Sequence, residues 1–183
     1  ENIKKVKTIY KGDEAIDLNL FYYPPYINND KGYIKSENIE DISLNNFVIE
    51  GVAGQGKSIL LRYLTYREYK NEKRIPIFIE LRKLNEKSDI FNFIKESISS
   101  WVFSVSNELL SWVLKSGKII LLLDGFDELK EKDVPNVIKD LENISQQYPQ
   151  TQIVVTSRPD NAIQSALLHK PICKGFFSDI ISK

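Results

Sequence analysis

The sequence predicts an α/β fold, a three-layer sandwich around a mainly parallel, doubly wound central sheet of about five strands. Short apolar runs alternate with longer segments in which apolar residues recur at helical spacing. Residues 119–123 are uniformly apolar, as in a strand that is buried on both faces of a parallel sheet. A hydrophobic content of 42% supplies enough apolar side chains for such a core.

The start of the chain is mixed and charged, and it is interpreted as an N-terminal extension or linker over residues 1–46. Pro24 and Pro25 exclude a helix at their position and favour an extended turn. A short helix is expected over residues 36–42, with Ser36 as its N-cap. The regular alternation of elements begins after this segment.

Strands and helices then alternate along the middle of the chain. The predicted order is a strand, a helix, a strand and two helices, at residues 46–50, 57–73, 75–81, 90–98 and 108–115. Asp89 is expected to cap the helix that begins at Ile90. Gly117 is expected to end the last of these helices.

The second half continues the same alternation. A strand, a helix and a strand are predicted at residues 118–123, 134–144 and 151–156, followed by a short helix near 161–168 and a possible last strand at 172–177. The strand at 118–123 is apolar except for Lys118, and the strand at 151–156 has the apolar centre Ile153-Val154-Val155, so both are expected inside the sheet.

The most specific motif is a phosphate-binding loop between the strand at 46–50 and the helix after it. Its residues are Gly51, Val52, Ala53, Gly54, Gln55, Gly56, Lys57 and Ser58, which match G-x-x-x-x-G-K-[ST] at every fixed position. The glycines let the backbone turn and approach anionic oxygens, and the loop N–H groups with the helix N-terminus attract phosphate. Lys57 is expected to reach the β- and γ-phosphates, and Ser58 to ligate Mg²⁺. A chance match in a glycine-containing turn is the alternative, and the flanking strand and helix argue against it.

Three carboxylates follow the apolar strand at residues 119–123. Asp124 stands at the end of that strand, where parallel sheets bind ligands, and is expected to hold Mg²⁺ through water or together with Ser58. Asp127 and Glu128 follow, and either can serve as general base for an attacking water. The pattern favours Glu128, but the spacing leaves both open. An acidic turn exposed to solvent is the alternative interpretation.

Arg158 follows the strand at residues 151–156, within the segment Thr156-Ser157-Arg158-Pro159. This strand is expected to end on the same side of the sheet as the phosphate loop, where Arg158 can bind a γ-phosphate bidentately and sense it. A surface arginine in a loop is the alternative, and the two preceding motifs favour the sensing role.

Composition excludes several other kinds of site. The 25 Lys and Arg residues balance 25 Asp and Glu residues, so no general attraction to nucleic acid or anionic membrane is expected. The single cysteine, Cys173, excludes an intrachain disulfide and a cysteine-rich zinc site. No apolar run reaches the about 18 residues of a membrane span, and a cytoplasmic location is expected.

Together the three motifs resemble those of the NACHT family, within the STAND class of P-loop NTPases. They are carried by residues 51–58, by Leu121-Leu122-Leu123-Asp124-Gly125-Phe126-Asp127-Glu128-Leu129 and by residues 156–159. The offset acidic pair is the most telling feature, since a typical AAA+ protein has Glu directly after the first Asp, where this chain has Gly125. The resemblance covers residues 47–160 and looks closer to bacterial than to animal members.

The resemblance implies a NACHT nucleotide-binding domain over residues 47–183, ending before the family's helical and winged-helix regions. It implies a switch that rests with ADP, exchanges it for ATP, hydrolyses ATP slowly with Mg²⁺ and self-associates. Flanking sensor and effector domains and a role in signalling or antiphage defence are implied as well. Family members contact adenine with the segment before the phosphate loop, which makes residues 23–27 candidates for that contact.

Other function classes remain as alternatives. An AAA+-like ATPase motor or loader would act on nucleic acid or protein, and the neutral charge balance gives no support for nucleic-acid contacts. A GTPase switch would carry an Asn-Lys-x-Asp base-reading motif, which this sequence lacks. A small-molecule kinase would need an acceptor site that the sequence does not reveal.

Overall fold

A computed structural model describes residues 3, 5–7, 15–29, 32–43, 46–84, 89–99, 105–159 and 173–174. The strands are β1 (Lys5–Lys7), β2 (Ala15–Asp17), β3 (Tyr26–Asn29), β4 (Gly32–Lys35), β5 (Phe47–Glu50), β6 (Ile75–Glu80), β7 (Ile119–Asp124), β8 (Gln152–Ser157) and β9 (Cys173–Lys174). The helices are α1 (Ile39–Ile42), α2 (Lys57–Asn71), α3 (Ile90–Ser99), α4 (Asn107–Lys115) and α5 (Val134–Gln147). Short 3-10 helices cover Leu18–Leu20, Leu81–Lys83 and Phe126–Glu128.

The central sheet has seven strands in the order β4-β3-β9-β5-β8-β7-β6. From β9 to β6 every neighbouring pair is parallel, whereas β3 and β4 join antiparallel at one edge. The prediction of a mainly parallel α/β sheet is therefore confirmed. The antiparallel hairpin of β3 and β4 was not predicted, because its short strands follow two prolines and lack a long apolar run. A separate antiparallel pair joins β1 and β2.

Helices cover both faces of this sheet, which confirms the three-layer arrangement. In β7, Ile119, Leu121 and Leu123 pack in the cluster that includes α3, α4 and α5. Ile120 and Leu122 pack on the other face with α1 and α2. All five side chains are buried, as expected for a strand inside a parallel sheet.

The order of strands places β8 between β5 and β7. The chain therefore passes from β7 to β8 through α5 and back to a position next to β5. The segment that carries Arg158 thus begins between the phosphate loop after β5 and the acidic turn after β7. Because these strands are parallel, their carboxyl ends lie at one edge of the sheet.

The expected helix near residue 36 begins later than predicted. Helix α1 starts at Ile39 with Asn38 as N-cap, and the Asp41 carboxylate accepts a hydrogen bond from the Asn38 backbone N–H at 3.0 Å. Ser36 is buried, and its hydroxyl donates to the Pro25 carbonyl at 2.7 Å. Ser36 therefore fixes the path of the chain into β3 rather than capping α1.

Several predictions concern residues beyond the described part of the chain. The helix near 161–168 lies outside the described residues, and so does most of the strand at 172–177, of which β9 is the described portion. Among the residues that are described, no helix combines the length and apolar character needed to cross a membrane.

Helices α3 and α5 are joined by a partly buried carboxylate. Asp140 on α5 accepts a hydrogen bond from the backbone N–H of Ile90 at 3.2 Å. Burial raises the pKa of the Asp140 carboxyl, the Ile90 hydrogen bond opposes this, and the nearby charge of Asp89 adds to it. A raised pKa in the folded state means that ionised Asp140 lowers stability above that pKa. This cost vanishes below the unfolded-state pKa, where Asp140 is protonated in both states.

We predict that Asp140→Asn raises the free energy of unfolding at neutral pH by less than about 1 kcal/mol. The amide keeps an acceptor for Ile90 and carries no charge. The gain should disappear about one unit below the ordinary aspartate pKa of about 4. Thermal unfolding at both pH values measures it, with Glu142→Gln, an exposed position on the same helix, as control. An equal gain for Asp140→Asn at both pH values would contradict the prediction.

Candidate functional site

An open cleft of about 330 Å³ lies at the carboxyl edge of the sheet. Its wall comes from the phosphate loop with the start of α2, the turn after β7 and the end of β8. The lining residues are Ala53, Gly54, Gln55, Gly56, Lys57, Ser58, Ile59, Asp124, Gly125, Asp127, Glu128, Thr156 and Arg158. The fold thus brings three motifs that are far apart in sequence to one cleft.

The phosphate loop enters α2 through two glycines with left-handed backbone conformations. Gly54 has φ +80° and Gly56 has φ +75°, a region that favours glycine. Gly56 is the N-cap of α2, and Lys57 and Ser58 in the first turn line the cleft. The N-terminus of α2, a fifteen-residue helix, therefore lies at the cleft and favours an anion there.

Lys57 lies folded over its own loop. Its Nζ donates hydrogen bonds to the carbonyl oxygens of Gly51 at 2.6 Å and Val52 at 3.1 Å. Gly51 and Val52 themselves do not line the cleft, so they contribute to this arrangement through their backbone. The ammonium is held beside the loop, and Lys57 lines the cleft.

Gln55 closes the loop from within. Its side-chain Oε1 accepts a hydrogen bond from the Val52 backbone N–H at 2.7 Å. A Cβ atom on Gly51 would lie 2.5 Å from this oxygen, too close for two non-bonded atoms. A Cβ atom on Gly51 would therefore require the Gln55 side chain to move, while the backbone of Gly51 itself has no positive φ.

Asp124 is oriented by Thr156 on the neighbouring strand. The Thr156 hydroxyl donates to Asp124 Oδ1 at 2.7 Å and accepts from the Gly125 backbone N–H at 2.9 Å. Thr156 is fully buried, so both hydrogen bonds are protected from water. Thr156 was not predicted from the sequence as a site residue. The available signal was a polar residue at the end of an otherwise apolar strand.

Ser58 and Asp124 line the same cleft and offer a hydroxyl and a carboxylate oxygen. Oxygen donors are what Mg²⁺ prefers, and in phosphate-transfer sites it keeps most of its ligands from water and the substrate. Within the described residues, no group of three or more His, Cys, Asp or Glu is placed to hold a metal ion. The donor set fits a Mg²⁺ that arrives with a nucleotide.

Asp127 and Arg158 form an ion pair across the cleft wall. Arg158 Nε lies 2.7 Å from Asp127 Oδ2. The Asp127 side chain is 12% exposed, whereas that of Arg158 is 60% exposed. The pair joins the end of β8 to the turn after β7, and it engages the Asp127 carboxylate. Glu128 is the more open carboxylate, with 48% of its side chain exposed.

A charged cluster at the end of β6 borders the acidic turn. The Glu80 carboxylate accepts hydrogen bonds from Arg62 on α2 at 2.8 Å and pairs with Lys83 at 2.9 Å. Arg82 approaches Glu80 Oε2 at 3.3 Å and Glu128 Oε2 at 3.6 Å. The hydrogen bond from Lys83, with a further contribution from Arg82, holds the pKa of Glu80 below its ordinary value. Glu80 therefore stays ionised at neutral pH.

Glu80 and Arg82 were not predicted from the sequence as site residues either. Glu80 pairs in register with Asp124, so it ends its strand at the same edge of the sheet. The rule that selected Asp124, a carboxylate at the end of a parallel strand, applies equally to Glu80. Residues 23–27, the candidates for adenine contact, are not among the residues that line the cleft.

Comparison with known families identifies one match over most of the chain. The sequence profile of the NACHT domain matches residues 45–176. This range contains the phosphate loop, the acidic turn and the segment that includes Arg158.

Two individual proteins show more limited similarity. The ribosomal RNA small subunit methyltransferase I of Buchnera aphidicola subsp. Schizaphis graminum (strain Sg) is 33% identical over an alignment of 113 residues, and the match covers 51% of this chain. The chain spans only 39% of that relative, too small a share to transfer its activity. Domain III of the Thermotoga maritima replication initiation protein DnaA superposes with a TM-score of 0.45 at 22% identity, over 73% of this chain and 55% of that chain. That TM-score is too low to carry a conclusion about fold or function.

Replacement of Thr156 by Val tests the link between β8 and the acidic turn. Valine keeps the shape but leaves the buried Gly125 N–H without its acceptor, which should lower the free energy of unfolding by about 1–3 kcal/mol. Thr156→Ser keeps the hydroxyl and should cost less than about 1 kcal/mol. Chemical denaturation of the two variants measures the difference. Equal stability of the Val and Ser variants would show that the hydroxyl is dispensable.

Proposed function

The chain belongs to the NACHT family, as the match over residues 45–176 shows, and on this premise we propose that it is an ATP/ADP-binding switch with slow, Mg²⁺-dependent ATP hydrolysis. As a member of this family, it is a P-loop NTPase nucleotide-binding domain. One observation carries the proposal. The phosphate loop, the acidic turn and Arg158 line a single cleft. Hydrolysis of a nucleoside triphosphate requires phosphate-binding, metal-binding and charge-stabilising groups in one place.

The phosphates are proposed to lie against the loop and the start of α2. The backbone N–H groups of the loop residues that line the cleft and the α2 N-terminus supply a positive field that needs no side chain. Lys57 would exchange its bonds to the Gly51 and Val52 carbonyls for phosphate oxygens, because a charge-assisted bond to phosphate is stronger than one to a neutral carbonyl.

Ser58 and Asp124 are proposed to hold Mg²⁺, with Asp124 fixed by its bond from Thr156. When bound, the ion neutralises charge on the phosphate oxygens. Positioning Asp124 through a buried hydroxyl keeps its carboxylate in one orientation, and this lowers the entropy lost when a ligand arrives.

Hydrolysis requires a water in line with the γ-phosphorus and the oxygen that bridges to the β-phosphate. As the water oxygen bonds to phosphorus, the bond to the bridging oxygen breaks and a proton must leave the water. We assign this proton to the Glu128 carboxylate. Asp127 is already engaged by Arg158 at 2.7 Å, whereas Glu128 is about half exposed at the cleft.

Arg158 is proposed to distinguish ATP from ADP by changing its partner. Its guanidinium pairs with Asp127, yet its side chain is 60% exposed and lines the cleft. A γ-phosphate offers two or three oxygens to the same guanidinium, and a bidentate contact favours it over a single carboxylate bond. ATP would then release Asp127, whereas ADP would leave the ion pair intact.

In the whole protein we propose that this switch drives self-association and connects flanking sensor and effector domains, in signalling or antiphage defence. Residues 1–46 are proposed as an extension and residues 47–183 as the nucleotide-binding domain. The resemblance to bacterial NACHT proteins supports this setting, and no contact within the described residues bears on it.

Lys57→Ala should weaken binding of ATP and ADP by about 10- to 100-fold, because charge-assisted hydrogen bonds to the phosphates are lost. Isothermal titration with ATP, ADP and GTP in the presence of Mg²⁺ measures this. Lys115→Ala, an exposed lysine at the end of α4, is the matched control and should bind as the unaltered chain does. Binding of GTP as strong as that of ATP would contradict the proposal of an adenine-nucleotide switch.

Glu128→Gln should lower the rate of ATP hydrolysis by about 100-fold or more, with ATP affinity retained. Asp127→Asn should lower the rate less, since its proposed partner is Arg158 rather than water. Single-turnover phosphate release compares the two variants at saturating ATP. The assignment of the base would be reversed if Asp127→Asn proved the more damaging change.

A further inference from the structure

The Glu128 side chain is folded back over Gly125. A Cβ atom on Gly125 would lie 3.1 Å from Glu128 Cδ and 3.4 Å from Glu128 Oε2. Gly125 also has φ +76°, the left-handed region that favours glycine. The Glu128 side chain therefore lies beside the turn, with 48% of it exposed.

Arg82 is the cation that meets this carboxylate. Its guanidinium lies 3.6 Å from Glu128 Oε2 through one terminal nitrogen and 3.3 Å from Glu80 Oε2 through the other. Glu80 is in turn held by Arg62 on α2 at 2.8 Å. A planar guanidinium can contact two carboxylates at once, which an ammonium does less well. The contacts form a chain of charges from the phosphate-loop helix, through the end of β6, to Glu128.

We propose that Arg82 is a positioning residue for ATP hydrolysis, which holds the Glu128 carboxylate at the cleft and couples its place to Glu80 and α2. This rests on the proposed role of Glu128 as the base. A half-exposed glutamate without a partner samples many rotamers, and only a few of them reach the attacking water. Arg82 restricts that sampling without touching the nucleotide.

Lys83 supplies a matched control. It follows Arg82 in the same 3-10 helix, it is similarly exposed (63% against 59%), and it also contacts Glu80 Oε2. The ion pair described for Lys83 is with Glu80, whereas Arg82 reaches both Glu80 and Glu128. Loss of either residue removes one surface cation beside Glu80, and only loss of Arg82 releases Glu128.

The test compares Arg82→Ala and Lys83→Ala in ATP hydrolysis and ATP binding. We expect Arg82→Ala to lower kcat roughly tenfold with unchanged ATP affinity. Lys83→Ala should leave both quantities near those of the unaltered chain, and Arg82→Lys should restore part of the loss. Melting temperatures close to that of the unaltered chain would show that the variants are folded, since both side chains are exposed.

A double variant separates positioning from a general structural effect. If Arg82 acts through Glu128, Arg82→Ala should cause no further loss of kcat in a Glu128→Ala background. A full additional loss, an equal loss in Lys83→Ala, or a higher kcat in Arg82→Ala would overturn the proposal for Arg82. A normal rate in Glu128→Ala, or no hydrolysis by the unaltered chain, would instead remove the proposed chemistry and the role of Arg82 with it.

Discussion

The parallel register of β5, β8, β7 and β6 is the constraint on which the site depends. Glu50 pairs with Ser157 and Glu80 with Asp124, so these strands finish at one level. The inner parts of the strands are apolar and buried on both faces, where a polar group without a partner would cost stability. Polar side chains therefore collect at the strand ends. Thr156 is one of the buried polar residues there, and Asp124 and Gly125 satisfy its hydroxyl.

Charge pairing at the edge of the cleft follows a common plan. Two carboxylates of the turn after β7 form ion pairs with arginines from different elements. Asp127 pairs with Arg158 at the end of β8, and Glu128 pairs with Arg82 in the segment after β6. In both pairs the arginine is more than half exposed to solvent, and such pairs contribute on the order of 1 kcal/mol or less to stability. Of these two arginines, only Arg158 lines the cleft, and we propose that an incoming phosphate competes with Asp127 for it. Lys57 donates hydrogen bonds to two loop carbonyl oxygens, and we propose that a phosphate competes with them in the same way.

Much of the fold was predictable because its signals are local. The uniform apolar run at residues 119–123 indicated a strand inside the sheet, and helical spacing indicated α2, α3 and α5. The phosphate loop was predictable because glycines, lysine and serine at fixed spacing have few other uses. The β3–β4 hairpin and the true start of α1 were missed, since a four-residue strand or helix takes its stability from tertiary contacts such as the bond from Ser36 to Pro25.

By itself the sequence determined the alternation of strands and helices, the phosphate loop and the two further motifs that follow buried strands. Only the tertiary structure decided that β8 lies between β5 and β7, that Thr156 orients Asp124, and that the two acidic residues of the turn take different arginine partners. The physical reason is the distance along the sequence over which each factor acts. Backbone propensity and side-chain periodicity act over a few residues, whereas strand order and charge pairing depend on which distant segments pack together.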